Sequence, residues 1–259
     1  MTPIPEEYST ATRTEPAFDH HAHRRFSSVV DRELDPHLNG TYHRNHPTWH
    51  VEFSPWKAQN VSRLLEQKNL RPSTIGEVGC GVGEVLRQLQ LRMDPACRFL
   101  GYDIAPPAIE MAKERENRRL QFELGDFGTM DTPFFDLLLA LEVVDHVEDY
   151  LGFLRNIRSR AEWKVFSFSL DISVQSVLRQ GELARRQRYH SHLHHFTKET
   201  ALETLRHTGY EIAEHVFPPT LPVSRLAKLA YPVRRAAFAL SEELTTRLFG
   251  GYSLLVLAR

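Results

Sequence analysis

The chain reads as an α/β protein: a doubly wound, largely parallel sheet carrying helices on both faces. Three observations predict this. From Thr74 onward, short apolar runs alternate with stretches of helical period, the pattern of successive strand–helix–strand units. Leu137-Leu138-Leu139-Ala140-Leu141 is apolar at every position, as a central strand covered on both faces should be. Between the first apolar run and a helical pattern lies Glu77-Val78-Gly79-Cys80-Gly81-Val82-Gly83. A glycine turn there brings bare backbone N–H groups up to a ligand, because no Cβ intervenes.

The elements follow in order. Residues 1–45 are polar, proline-dotted and rich in histidine, and read as a flexible N-terminal arm with a short helix at Ser27–Leu34. Ser54-Pro55 signals a helix start, and Trp56, Val61, Leu64 and Leu65 give that helix one apolar face. Strands are expected at 74–78, 98–103, 120–124, 134–141 and 163–170, with helices at 84–92, 106–117 and 149–160. Pro106-Pro107 suits the first turn of its helix. A helix at 197–208 and a strand at 210–216 come next.

Residues 222–249 repeat Leu226, Leu229, Val233, Ala237, Leu240, Leu244 and Leu248 at helical spacing, and Pro232 is expected to divide them into two helices. Gly250-Gly251 stops the pattern before a closing strand, Tyr252–Ala258. Residues 46–259 thus form one domain, with 222–249 a helical insertion before the final strand. Its interleaved Arg225, Lys228, Arg234, Arg235 and Arg247 leave peripheral membrane contact open, beside the plainer reading of an acceptor-pocket wall or dimer contact.

Composition narrows the class. With 259 residues the chain can bury a full core. Lys+Arg total 32 against 33 Asp+Glu, so no global field attracts a nucleic acid. Two cysteines make no disulfide framework and suit a reducing cytoplasm. Met1–Thr10 lacks the apolar core of a signal peptide, and no apolar run approaches the roughly 20 residues of a membrane span.

The glycine turn discriminates between nucleosides. A dinucleotide site needs a small residue at position 84, and the chain has Glu84, which also argues against a nicotinamide dehydrogenase. Acidic Glu77 would repel a pyrophosphate but suits a cation. Asp103, twenty residues beyond Gly83, is placed for a ribose diol, with further acids at Asp126 and Glu142 after later strands. A ligand with an ammonium, a ribose and an exocyclic amine, and no phosphate, matches these positions.

The run Glu77–Gly83 resembles the first motif of the class I S-adenosylmethionine-dependent methyltransferases, whose Rossmann-like fold implies a mostly parallel sheet with an antiparallel last strand. Gly101-Tyr102-Asp103-Ile104 is similar to their ribose-binding segment, and Gly125-Asp126-Phe127 to their adenine-contacting turn. Asp136–Leu139 through Leu141–Val147 resembles the fourth strand and its loop, and His194-His195-Phe196-Thr197-Lys198-Glu199-Thr200 the opening of a later helix in the small-molecule branch. The match covers about residues 72–216 and the final strand. It implies S-adenosyl-L-methionine as cofactor. Gly79, Cys80, Gly81 and Gly83 would cradle its methionine part, with Glu77 near the ammonium. Asp103 would hold the ribose, Ile104 pack on adenine, and Asp126 bond the adenine amine, flanked by Phe127. Glu142 would complete the cofactor side.

Methyl transfer from a sulfonium is an in-line displacement that needs alignment and a dry pocket. A hydroxyl acceptor also needs a base, and His146, in the loop after the fourth strand, is the first candidate, with Asp145 to orient it. His195 or His194 would line the acceptor pocket. Alternation of His190, His192 and His194 suggests a metal, but no cysteine or second ligand cluster accompanies them, so none is expected. Trp49, His50 and Trp56 serve either as a lid or as aromatic core. The expected activity is transfer of a methyl group to a small-molecule or saccharide acceptor, at oxygen. The alternative is a cofactor-binding regulatory or assembly protein of the same fold.

Overall fold

A computed structural model describes residues 36–218 and 225–259. Its strands are β1 (Thr74–Val78), β2 (Arg98–Asp103), β3 (Leu120–Leu124), β4 (Phe135–Leu141), β5 (Ala161–Leu170), β6 (Ile212–Val216) and β7 (Tyr252–Ala258). They form one sheet in the order β3-β2-β1-β4-β5-β7-β6. β1 pairs in parallel with β2 and β4, and β2–β3 and β4–β5 continue the parallel run. β7 runs antiparallel to both β5 and β6. The chain order reverses between β1 and β4, which opens a crevice at the carboxyl ends of those strands.

The helices are α1 (Thr41–Asn45), α2 (Ser54–Gln67), α3 (Glu84–Gln90), α4 (Pro106–Lys113), α5 (Tyr150–Ile157), α6 (Val174–Leu178), α7 (Glu182–His190), α8 (Lys198–His207), α9 (Arg225–Leu240) and α10 (Glu242–Leu248). Alternate residues of β4 serve opposite cores, since successive strand side chains point to opposite faces. Leu138 and Ala140 join Leu154 and Ile157 of α5 and Ala201, Leu202 and Leu205 of α8. Leu137, Leu139 and Leu141 join Ala58, Val61, Leu64 and Leu65 of α2 and Leu86 and Leu89 of α3. The unbroken apolar run of β4 is therefore explained by two buried faces.

Three departures from the sequence reading have physical causes. α4 stops at Lys113, short of 117, because Asn117 exchanges backbone hydrogen bonds with Leu120 (2.9 and 3.2 Å) and turns the chain into β3. Pro232 does not divide the insertion: α9 runs through it, and the break comes at Ser241, whose extended backbone ends α9 and whose Oγ caps α10 by accepting from Leu244 N at 3.2 Å. Lys228, four residues before Pro232, is exposed, so water can take the carbonyl that the proline leaves unbonded. Two helices, α6 and α7, occupy a stretch where the sequence reading assigned no element. α6 is short and begins with a Ser173/Ser176 capping box.

The helix expected at Ser27–Leu34 lies outside the described residues. No helix among the described residues is long and apolar enough to cross a membrane.

Candidate functional site

The site is built at the carboxyl edge of β1, β2, β4 and β5. After β1 the chain takes left-handed turns at Gly79, Gly81 and Gly83, with φ of 67°, 54° and 77°. At Gly83 glycine is required twice over, because a Cβ there would also meet the Phe122 ring at 2.2 Å. At Gly81 a Cβ would project into space whose nearest atom is on Trp49, 4.0 Å away. The open side of the turn thus faces outward beneath Trp49. The Cys80 thiol turns inward, buried against Gly101, so this residue offers the crevice only its backbone.

Asp103 closes β2 and reaches back to the turn. Its Oδ2 accepts from Gly81 N and its Oδ1 from Ala105 N, both at 2.8 Å. Burial pushes the carboxyl up, and these backbone donors work against that rise. Glu77 is 2% exposed, and its Oε2 has no hydrogen-bond partner. Burial raises its carboxyl to about 8, with Lys57 pulling down and Asp103 pushing up. A buried acceptor left unpaired beside a glycine turn is the place a cationic ligand would satisfy.

Glu142, just past β4, has a left-handed backbone (φ 58°) and pairs with Lys57 of α2, Nζ to Oε2 at 2.6 Å. Burial would raise its carboxyl, but the lysine's charge and hydrogen bond outweigh this and hold it below the ordinary value. Ile104 follows β2 and is 38% exposed at the crevice edge. Asp126 is exposed and accepts from Gly128 N at 2.8 Å, forming its own turn.

Phe127 departs from the expected adenine flank. Its ring is 2% exposed, edge-on to Tyr102 at 5.0 Å, with the Arg160 guanidinium over it at 5.2 Å. The residue after the exposed Asp126 points into the core, so its ring belongs to packing.

After Glu142, a 3-10 turn spans Val144–His146. His146 Nδ1 lies 3.0 Å from the Ser191 carbonyl. A carbonyl only accepts, so the proton sits on Nδ1 and Nε2 carries the lone pair. Burial, then the nearby His37 and His192, push its pKa down to about 3. Asp145 does not orient this ring. Its backbone carbonyl accepts from Leu193 N and His194 N, and its Oδ2 from Ser169 N. His194 bonds the Val147 carbonyl at 2.9 Å and packs on Tyr150, so it supports the loop.

His195 lies at the same edge through Asp171, just beyond β5. Asp171 Oδ2 meets His192 Nδ1 at 2.6 Å and His195 Nδ1 at 3.0 Å, while Oδ1 meets Arg186 at 2.5 Å. Burial lowers the His192 pKa, but the Asp171 bond outweighs it and leaves the net shift upward.

The fold therefore gathers Glu77, the glycine turn, Asp103, Ile104 and Glu142 on one side and His146 and His195 on the other. Tyr42 of α1 spans the two. Its ring lies 6.2 Å from His146 and 5.3 Å from Trp49, and its hydroxyl feels the charges of Glu142 and Asp103. Tyr42, Lys57 and Asp171 were absent from the sequence reading. Asp171 had a usable signal, an acid at the end of a strand; the other two had none.

A parallel sheet with this strand order, one antiparallel strand and a glycine turn answered by an acid after β2 defines a nucleoside-cofactor protein of the methyltransferase type. Residues 49–215, more than half of the chain, match the methyltransferase domain family, and the chain belongs to it. Ajmaline N-methyltransferase of Rauvolfia serpentina is 26% identical over 96 residues, 34% of this chain and 32% of that protein. The chain thus spans about a third of the length of the curated relatives it matches.

Among solved structures, a methyltransferase in complex with the Trm112 activator of Haloferax volcanii superposes with a TM-score of 0.60 at 17% identity, over 87% of this chain and 96% of that one. The [4+2]-cyclase SpnF superposes at 0.52 with 18% identity, over 78% and 82%. These likenesses show the shared fold. The family implies S-adenosylmethionine, and the residues present fit it: the turn is open at Gly81, and Glu77 Oε2 is a buried acceptor awaiting a donor.

Proposed function

We propose that this protein transfers a methyl group from S-adenosylmethionine to a nitrogen of a small-molecule acceptor. The observation that carries the cofactor assignment is the unpaired, buried Glu77 carboxyl oxygen beside a glycine turn held by Asp103. The cofactor, when bound, supplies an electrophilic methyl carbon on a sulfonium. Glu77 meets its ammonium, Asp103 its ribose, Ile104 and Asp126 its adenine, and Glu142 with Lys57 closes the floor.

The sequence reading expected oxygen as the acceptor atom. His146 argues for nitrogen. A buried imidazole with a pKa near 3 is a weak base for a hydroxyl proton, whereas a neutral amine attacks without losing a proton first. Nε2 of His146 then accepts a hydrogen bond from the acceptor N–H and aims the nitrogen lone pair. His195, held by Asp171, lines the far wall. The name of the Rauvolfia relative, an N-methyltransferase, agrees with this choice. The two cysteines, both unpaired and buried, suit a reducing cytoplasmic setting.

Labelled cofactor offered with parallel panels of amines and hydroxyl compounds, saccharides included, tests the reading. Label entering amines supports it. Label entering only hydroxyl compounds overturns the choice of nitrogen. Tight cofactor binding without transfer to any acceptor would favour a regulatory, assembly or non-methylating role.

A further inference from the structure

Apart from the cofactor residues, the described chain holds a cluster of three histidines with no acid among the ligand atoms. His46 follows α1, His50 precedes the 3-10 turn Val51–Phe53, and His190 ends α7. One ring nitrogen from each lies within 4.8 Å of the other two. The His46 and His50 rings are 4.4 Å apart, and the His46 and His190 rings stack at 5.4 Å. The sequence reading set a metal aside because His190 and its neighbours lacked a second group of ligands. The fold supplies that group from the segment before α2.

We propose that His46, His50 and His190 bind one divalent transition-metal ion, which pins the 46–50 segment to the end of α7. Two further observations and the ligand chemistry of imidazole support it. His46 is buried, and its Nε2 lies 3.1 Å from the Tyr189 carbonyl. The carbonyl takes the proton side of the ring and leaves the lone pair on Nδ1; a carbonyl behind one nitrogen is what orients and fixes the tautomer of metal-bound histidines. His50 itself and Ser191, which follows His190, have left-handed backbones, φ 56° and 61°. Such conformations are disfavoured at non-glycine residues and persist where surrounding interactions hold them. Finally, imidazole is a preferred ligand of zinc, cobalt and nickel, and three of them leave a coordination position for water or a ligand heteroatom.

The neighbouring group of Asp171, His192 and His195 is a different arrangement. Its separations of 2.6 and 3.0 Å are those of hydrogen bonds, and Arg186 already neutralises the carboxylate. The metal site bears on the acceptor side, because α1 leads straight into His46 and carries Tyr42 to the edge of His146. Metal binding would hold that tyrosine in place.

Chelator-treated full-length protein titrated with cobalt(II) tests the site. The expected result is visible d–d absorption saturating at one equivalent, displaced by zinc. Zinc should also raise the melting temperature of the wild type. His50→Ala and His190→Ala should each reduce cobalt binding below detection and abolish the zinc-dependent rise, while still melting cooperatively. Asp171→Asn should keep the cobalt spectrum. No saturable cobalt binding, or a spectrum unchanged in both histidine variants, overturns the proposal. Loss of the spectrum in Asp171→Asn with its retention in His50→Ala would overturn it as well, by moving the metal to the other cluster.

Discussion

The Asp103 carboxylate accepts a 2.8 Å hydrogen bond from the backbone N–H of Gly81, so the acid that ends β2 also fixes the turn that follows β1. One side chain thus shapes the cradle, and the proposed reading has it hold the ribose as well. Asp103→Ala should weaken S-adenosylmethionine binding by about 10- to 100-fold, the loss of one or two hydrogen bonds to a charged group. Isothermal calorimetry reads this directly. An unchanged affinity would remove Asp103 from the site.

Gly83→Ala tests the turn itself. The added Cβ meets Phe122 at 2.2 Å, and the left-handed backbone penalises it further. The variant should lose about 2–4 kcal/mol of stability, from overpacking plus backbone strain. A urea denaturation midpoint matching the wild type would show that the turn relaxes freely.

Glu77 links pH to both stability and binding. Its folded pKa, about 8, stands above the ordinary 4.5, so the folded protein keeps a proton that the unfolded chain releases. Stability from this group is full below about pH 4.5, falls as pH rises toward 8, and is then level. In Glu77→Gln that slope should vanish from pH-dependent unfolding. Binding of a cationic ligand favours the ionised carboxyl, so cofactor binding at pH 7 should release a proton. Calorimetry in buffers of different ionisation enthalpy measures that release, and a value of zero would separate Glu77 from the ammonium.

On the proposed role of His146 in aligning the acceptor, His146→Ala should lower turnover by about 100-fold while cofactor affinity stays within twofold. His146→Gln, which retains a hydrogen-bond acceptor, should recover part of the rate. Equal rates for all three proteins would reduce His146 to loop support through Ser191.

Much of the fold was legible because local pattern and tertiary role agree. The apolar run 137–141 needs two covered faces, and β4 has them. The glycine turn expected after the first strand forms, and the structure gives Gly79, Gly81 and Gly83 left-handed backbone. Pro232 misled because its cost is local, one hydrogen bond on an exposed helix, and α9 absorbs it. Phe127 misled because sequence does not say which way a residue after a turn will point.

The sequence by itself determined the strand–helix order from β1 to β5, the glycine turn and the acids at the strand ends, since periodicity and backbone freedom are properties of neighbouring residues. Tertiary structure alone decided the rest. Lys57 meets Glu142, His195 meets Asp171, and His190 meets His46 and His50 across long stretches of chain. Those meetings depend on how the sheet stacks its carboxyl ends and how the segment before α2 crosses them, and no short-range pattern encodes that distance.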